Sequence, residues 1–308
     1  MKIPSITCPR SYSTMIKTVK SFFLLAIVLF FAELAPAQST TKSPKIRTII
    51  IDAGHGGTDQ GAKGTYSTEA QITLKLALRL DTLLREELPS TRIVMTRTTD
   101  IFHHVREKAE IANREKGDLF VCIHVNAAPP KKTITGYKSV AYYKGKGSKR
   151  KKYYKKVPIY KTSPNPMFGT STYVWAADRS DEKAQGIIAD DRYESSAEIM
   201  DVPDVNSPEA LIKARLWSQK FFKNSVQLAS MIENEFTVIG RKSMGVLQRN
   251  HMGIWVLQAT NMPAVLIETG FITNQEEEDY LNSEVGQAEM TRSIANAILK
   301  YKIAVDGK

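Results

Sequence analysis

Residues 46–61 read IRTIIIDAGHGGTDQG. A continuous β-branched run that breaks into a glycine-rich turn is the pattern of a strand buried on both faces, and such strands sit in parallel sheets covered by helices. The rest of the chain repeats the alternation. Strands are expected at Ile46–Ile51, Arg92–Met95, Leu119–Val125, Ile254–Leu257 and Ala264–Ile267, with Val140–Tyr143 as a further candidate. Apolar residues at Ile72, Leu76, Leu80, Leu83 and Leu84 mark a helical stripe over Ala70–Leu88. Further helices are expected over Val105–Glu115, Pro208–Phe236 and Val285–Tyr301. The expected fold is α/β: a mostly parallel twisted sheet with helices on both faces, in a single catalytic domain that carries a large charged insert.

In such sheets the chemistry lies beyond the carboxyl ends of the strands. Three expected strands end in polar residues: DAGHGG with His55, CIHVNAA with His124, and LIETGF with Glu268. Glu69 opens the helix after the His55 turn. Taken singly, each has a structural reading. A histidine at a strand end can be a satisfied loop residue, Glu69 suits a helix macrodipole, and Gly54, Gly56 and Gly57 suit a tight turn with positive φ. Glu268 is harder to explain, because a carboxylate closing an apolar strand is costly to bury alone. Together, two imidazoles and a carboxylate suit Zn²⁺ with an open coordination position. A second carboxylate that does not bind the metal can then take a proton from water.

The sequence as a whole narrows the class. Its 308 residues are 42% hydrophobic and 24% charged, enough apolar material for a core. Two cysteines exclude a disulfide scaffold and a four-cysteine zinc ribbon. Lys2, Arg10, Lys17 and Lys20 precede the apolar stretch SFFLLAIVLFFAEL and the small-x-small triplet Ala35-Pro36-Ala37. This reads as a signal peptide over residues 1–37, followed by a polar linker over 38–45. The expected location is therefore exported, in the periplasm or cell envelope. No stable membrane span is expected after cleavage, and Cys122 is left without a disulfide partner.

The strings IIIDAGHGGTDQGAKG, STEAQITLKLALRL, MTRTTD, FVCIHVNAA and MPAVLIETGFITNQEEEDYL, in this order, resemble the zinc-dependent N-acetylmuramoyl-L-alanine amidases of the amidase-3 group. The resemblance spans residues 46–302. It implies that His55, Glu69 and His124 ligate zinc and that Glu268 is the catalytic glutamate. The implied substrate is peptidoglycan, cut between the lactyl group of N-acetylmuramic acid and L-alanine, in wall remodelling or daughter-cell separation. Two competing functions are an exported zinc peptidase or deacetylase acting on another amide, and an inactive wall-binding module.

An insert over about residues 130–207 is not explained by these motifs. Residues 131–161 hold twelve Lys/Arg and no acid, within a chain of net charge +11. This stretch is expected to be a basic loop. One reading makes it a solvated surface segment. The other gives residues 144–161 an electrostatic contact with an anionic surface such as cell wall or outer-membrane lipid. Nucleic acid is not expected as a partner of an exported chain. Residues 178–209 instead carry ten acids against three bases. In place they resemble the regulatory region of division-associated amidases, where a helix covers the zinc site until an activator protein displaces it. On that reading Glu194 or Glu198 would occupy the open zinc position. A plain surface helix that neutralises the basic stretch is the alternative.

Overall fold

The computed structural model describes residues 46–175, 183, 208–248 and 254–307. The expected signal peptide (1–37), the linker (38–45), His251 and the acidic segment 178–207 lie outside the described residues, Lys183 excepted. In chain order the elements are β1 (Thr48–Ala53), α1 (Glu69–Glu87), β2 (Arg92–Met95), α2 (Val105–Arg114), β3 (Leu119–Asn126), β4 (Lys131–Lys144), β5 (Lys151–Ser163), β6 (Thr170–Val174), α3 (Pro208–Val238), β7 (Ser243–Gln248), α4 (Trp255–Ala259), β8 (Ala264–Phe271), α5 (Gln275–Asn282) and α6 (Glu284–Asp306).

Six strands form one sheet in the order β2-β1-β3-β8-β6-β7. Neighbours in β2-β1-β3-β8 are parallel, and β6 joins β8 antiparallel while pairing parallel with β7. The apolar strand runs explain the layering. Alternate residues point to opposite faces, so Ile49, Ile51, Leu119, Val121 and Ile123 pack with Leu76, Leu80, Ile232 and Ile294 of α1, α3 and α6. Ile50, Phe120, Cys122 and Leu266 pack on the other side with Ala112 of α2 and Leu257 of α4. The α/β class and two-sided helical cover are as expected.

Helix α1 begins where Thr68, in extended backbone, donates its N–H to the Gln71 side chain at 3.1 Å. It stops before Pro89, whose ring disfavours helical backbone in the residue ahead of it. Its Ile72, Leu76, Leu80 and Leu84 are fully buried. At about 1.5–3 kcal/mol each for burial from water, that stripe fixes the helix on the sheet and its first residue, Glu69, at the sheet rim.

Several expectations need correction. Ile254–Leu257 is not a strand: Ile254 precedes the short helix α4, and only Val256 and Leu257 of it are buried. A four-residue apolar run carries no period that separates strand from helix. The basic stretch is not a loop but an antiparallel two-stranded ribbon, β4 with β5, from Lys131↔Ser163 to Lys144↔Lys151. The candidate strand Val140–Tyr143 lies within β4, but the rest of the ribbon has no apolar face and was not readable as strand. Nor is 130–207 one insert, because β6 within it belongs to the main sheet, with Ser171 beside Glu268. Strands β6 and β7 were not anticipated; both are short, TSTYV is mostly polar, and SMGVLQ is interrupted by a glycine.

Candidate active site

The site lies at the carboxyl ends of β1, β3 and β8, and sheet register does much of the positioning. His124 and Glu268 are lateral partners on adjacent strands. Glu69 comes from the first turn of α1, and His55 from the turn after β1. One potential ligand atom from each of His55, Glu69 and His124 lies within 4.8 Å of the others. The His55 and His124 rings meet edge to face, with centroids 4.8 Å apart. The structure therefore brings three of the four expected residues into one cluster. It places the fourth, Glu268, buried on the neighbouring strand at 7% exposure.

Glu69 is the hub. Its Oε1 accepts from the His124 ring at 2.8 Å and from the Val125 N–H at 3.0 Å. Its Oε2 accepts from the Ala62 N–H at 2.9 Å and lies 3.1 Å from His55 Nε2. Burial pushes the Glu69 carboxyl up, but the hydrogen bonds and charges of His124 and His55 outweigh it and hold Glu69 well below the ordinary carboxylate range. Burial likewise opposes a charge on His55. The bonds and charges of Glu69, then Asp59, overcome that and raise its pKa above the ordinary imidazole value.

Asp59 is a residue that sequence reasoning missed. Its Oδ2 lies 2.8 Å from His55 Nδ1, so Nε2 is the nitrogen left to face Glu69. An acid four residues after a candidate ligand in HGGTD was the available signal. The turn itself is pinned from behind. Lys108 donates Nζ to the Ala53 carbonyl at 2.7 Å, and Arg97 donates to the carbonyls of Ala53 and Gly54 at 3.0 and 2.8 Å. Lys108 is paired in turn with buried Asp52 at 3.0 Å. Asp52 also accepts from Cys122 Sγ at 2.9 Å, so the lone described cysteine is buried and free of any disulfide.

The glycines differ from expectation in an informative way. Gly56 and Gly57 have positive φ, but Gly54 does not, and His55 itself sits at φ 59°. Gly54 is needed for closeness instead: a Cβ there would meet His124 Nε2 at 2.6 Å. Gly61 combines both reasons, with φ +63° and a Cβ that would fall 2.6 Å from Glu69 Oε2.

Two imidazole nitrogens and a carboxylate oxygen converging from three separate elements form a donor set suited to a divalent metal ion. The amidase-3 family model, described as N-acetylmuramoyl-L-alanine amidase, matches residues 49–300. The chain belongs to this family. The chain is 28% identical over 275 residues to AmiC of Escherichia coli O6:H1, covering 87% of the chain and 57% of that relative. It is 27% identical over 263 residues to AmiA of Salmonella typhimurium, covering 85% and 78%. It thus spans little more than half the length of the first of these and most of the second. The crystal structure of N-acetylmuramoyl-L-alanine amidase from Clostridium difficile 630 shares the fold, with TM-score 0.53 and 22% identity over 84% of this chain and 97% of that one. Among the described residues of the chain, no helix is long and apolar enough to cross a membrane.

One residue of the acidic segment is described. Lys183 is buried and donates Nζ to the Leu257 carbonyl at 2.6 Å, and burial brings its pKa down to about 7.

Proposed function

We propose that the protein is an exported zinc-dependent amidase that hydrolyses the bond between the muramic acid lactyl group and L-alanine in peptidoglycan. The observation that carries this reading is the convergence of His55, Glu69 and His124 beside buried Glu268, in a chain of the amidase family. In the proposed roles, His55, Glu69 and His124 hold the ion and Glu268 is the catalytic acid–base. When bound, Zn²⁺ supplies Lewis acidity to the scissile carbonyl and makes a water molecule more acidic.

The remaining work falls to the chain's own groups. Asp59 holds the His55 ring by its Nδ1 and aims Nε2 at the cluster, as carboxylates commonly do for metal-binding histidines. Ion and proton compete for the same ring nitrogens, so loading releases protons and weakens in acid. Glu268 takes the proton of the attacking water and returns it to the departing amine. Residues 1–37, read as a signal peptide, support export to the periplasm or cell envelope.

The test pairs two variants. Glu268→Ala should keep bound zinc and lose hydrolysis, and His55→Ala should lose both. Mass analysis of digested sacculi should give free stem peptides and peptide-free glycan. Near-wild-type release by Glu268→Ala would remove its assigned role. Products cut at another amide would point to the peptidase or deacetylase reading. A zinc-free, inert wild type would point to a wall-binding module.

A further inference from the structure

Among the described residues, the basic ribbon is the one large feature that the amidase reading leaves unused. Its strands β4 and β5 pair, among the described residues, only with each other, as a separate two-stranded sheet. Fourteen residues at about 3.4 Å each make β4 an arm of roughly 45 Å. Both feet stand at the rim of the active site. The arm leaves from β3 five residues after Asn126, and it returns into β6, whose Ser171 lies beside Glu268.

Directly opposed residues of an antiparallel pair share a face. One face presents the rows Lys138↔Val157, Val140↔Lys155, Tyr142↔Tyr153 and Lys144↔Lys151. The Tyr142 and Tyr153 rings stack with centroids 5.7 Å apart, making an exposed aromatic platform between ammonium groups. At the tip, Lys144 and Lys151 oppose each other, and Arg150 lies over the Tyr143 ring at 4.4 Å. An isolated two-stranded ribbon is marginal in water, and like charges in facing positions weaken it further. With no acid between 131 and 161, the countercharge has to come from outside the ribbon.

We infer that the β4–β5 ribbon is a substrate-gripping arm that binds the anionic glycopeptide polymer next to the point of cleavage, ammonium groups on stem-peptide carboxylates and tyrosine rings on sugar faces. This rests on the peptidoglycan amidase reading and extends it from the cut bond to the surrounding polymer. Position favours the polymer: a cationic arm rooted at the catalytic rim raises the local concentration of the polyanion being cut. Composition disfavours a lipid surface. Residues 137–160 contain no Trp, Phe, Leu or Met, the side chains with which interfacial segments enter a bilayer.

The experiment uses the full chain with Glu268→Ala, so that the wall is bound and not digested. One set carries Lys146→Gln, Lys149→Gln, Arg150→Gln, Lys151→Gln and Lys152→Gln. A second set changes the four lysines to arginine and keeps Arg150. Partition onto purified sacculi in low salt should fall roughly tenfold in the glutamine set and hold in the arginine set, and about 0.5 M salt should release the unmodified arm. Unchanged partition of the glutamine set, or equal loss in the arginine set, overturns the proposal. So does a loss seen on phosphatidylglycerol vesicles but not on sacculi. With Glu268 retained and the ribbon unaltered, turnover of a short soluble muropeptide tests the amidase reading separately from partition. Wild type that cannot cut the soluble muropeptide would refute the amidase reading and leave the binding result to be judged on its own.

Discussion

Replacing Gly54 with alanine adds one methyl group at the tightest point of the site. Its Cβ would stand 2.6 Å from His124 Nε2, 2.7 Å from His124 Cε1 and 2.8 Å from the Ile123 carbonyl oxygen. Ordinary carbon contacts begin near 3.5 Å, so the overlap is about 1 Å. The backbone cannot yield, because Ile123 lies inside β3 and accepts the Gly54 N–H at 2.9 Å. The imidazole has to move, and Glu69 Oε1 already holds its Nδ1 at 2.8 Å. Gly54 is not a positive-φ residue, so the penalty is steric alone. Overpacking of this kind costs about 1–3 kcal/mol. A shift of about 1 Å in an active group costs on the order of 10²-fold in turnover. Zinc affinity should fall by roughly 10- to 100-fold, as it does when a metal-binding histidine loses its support. Zinc titration against a chelating dye, muropeptide release and thermal melting read these three effects separately. Gly240→Ala is the control: it has φ +80° and nothing within 4 Å of the added atom, so it strains the backbone and leaves the site alone. A Gly54→Ala protein with zinc affinity and turnover within about twofold of wild type would refute the reasoning.

Asp52→Asn strands the buried Lys108 ammonium and should cost about 3–5 kcal/mol in urea unfolding; less than about 1 would show that Lys108 finds another partner. The same carboxyl sets a pH dependence. Burial raises the Asp52 pKa, but the Lys108 charge and the bonds from Cys122, Thr96 and Lys108 hold it below the ordinary value of 3.8. Its contribution is therefore present above that value and lost as pH falls through the lower folded-state value. Wild type should lose more stability than Asp52→Asn between pH 5 and pH 2, and parallel curves would contradict this. Asp59→Asn should weaken zinc binding by roughly 10- to 100-fold with little change in melting of the metal-free protein, checked by the same dye titration. If the acidic segment shades the site, a folded protein lacking residues 180–200 should turn over faster than the full chain, and equal or lower activity would argue against self-inhibition.

The central strands were readable because burial on both faces leaves runs dominated by Ile, Val, Leu and Phe in β1, β3 and β8 ahead of the polar residues. That abrupt change of character placed His55, His124 and Glu268 at one rim before any coordinates. Glu69 was readable as the first residue of a capped, periodic helix. What stayed hidden was what periodicity does not encode. Strands β6 and β7 are short, and the mostly polar TSTYV is held by register with β8 and by the Thr170 and Thr172 hydroxyls on Glu233. The ribbon is dominated by Lys and Tyr in no period-two order, so no apolar face announced it. The Asp59–His55 contact and the Gly54 and Gly61 approaches depend on a turn whose path is set by Arg97 and Lys108 from distant segments. The spacing in HGGTD hinted at the Asp59 contact, but no local pattern carries the path of the turn.

The two oxygens of Glu69 are each engaged twice, by a ring and by a main-chain amide. The cradle is therefore assembled before any ion arrives, and little conformational freedom is left to surrender on loading. On the zinc reading, metal-free protein should already have the shape of the loaded protein, with no folding step on adding the ion.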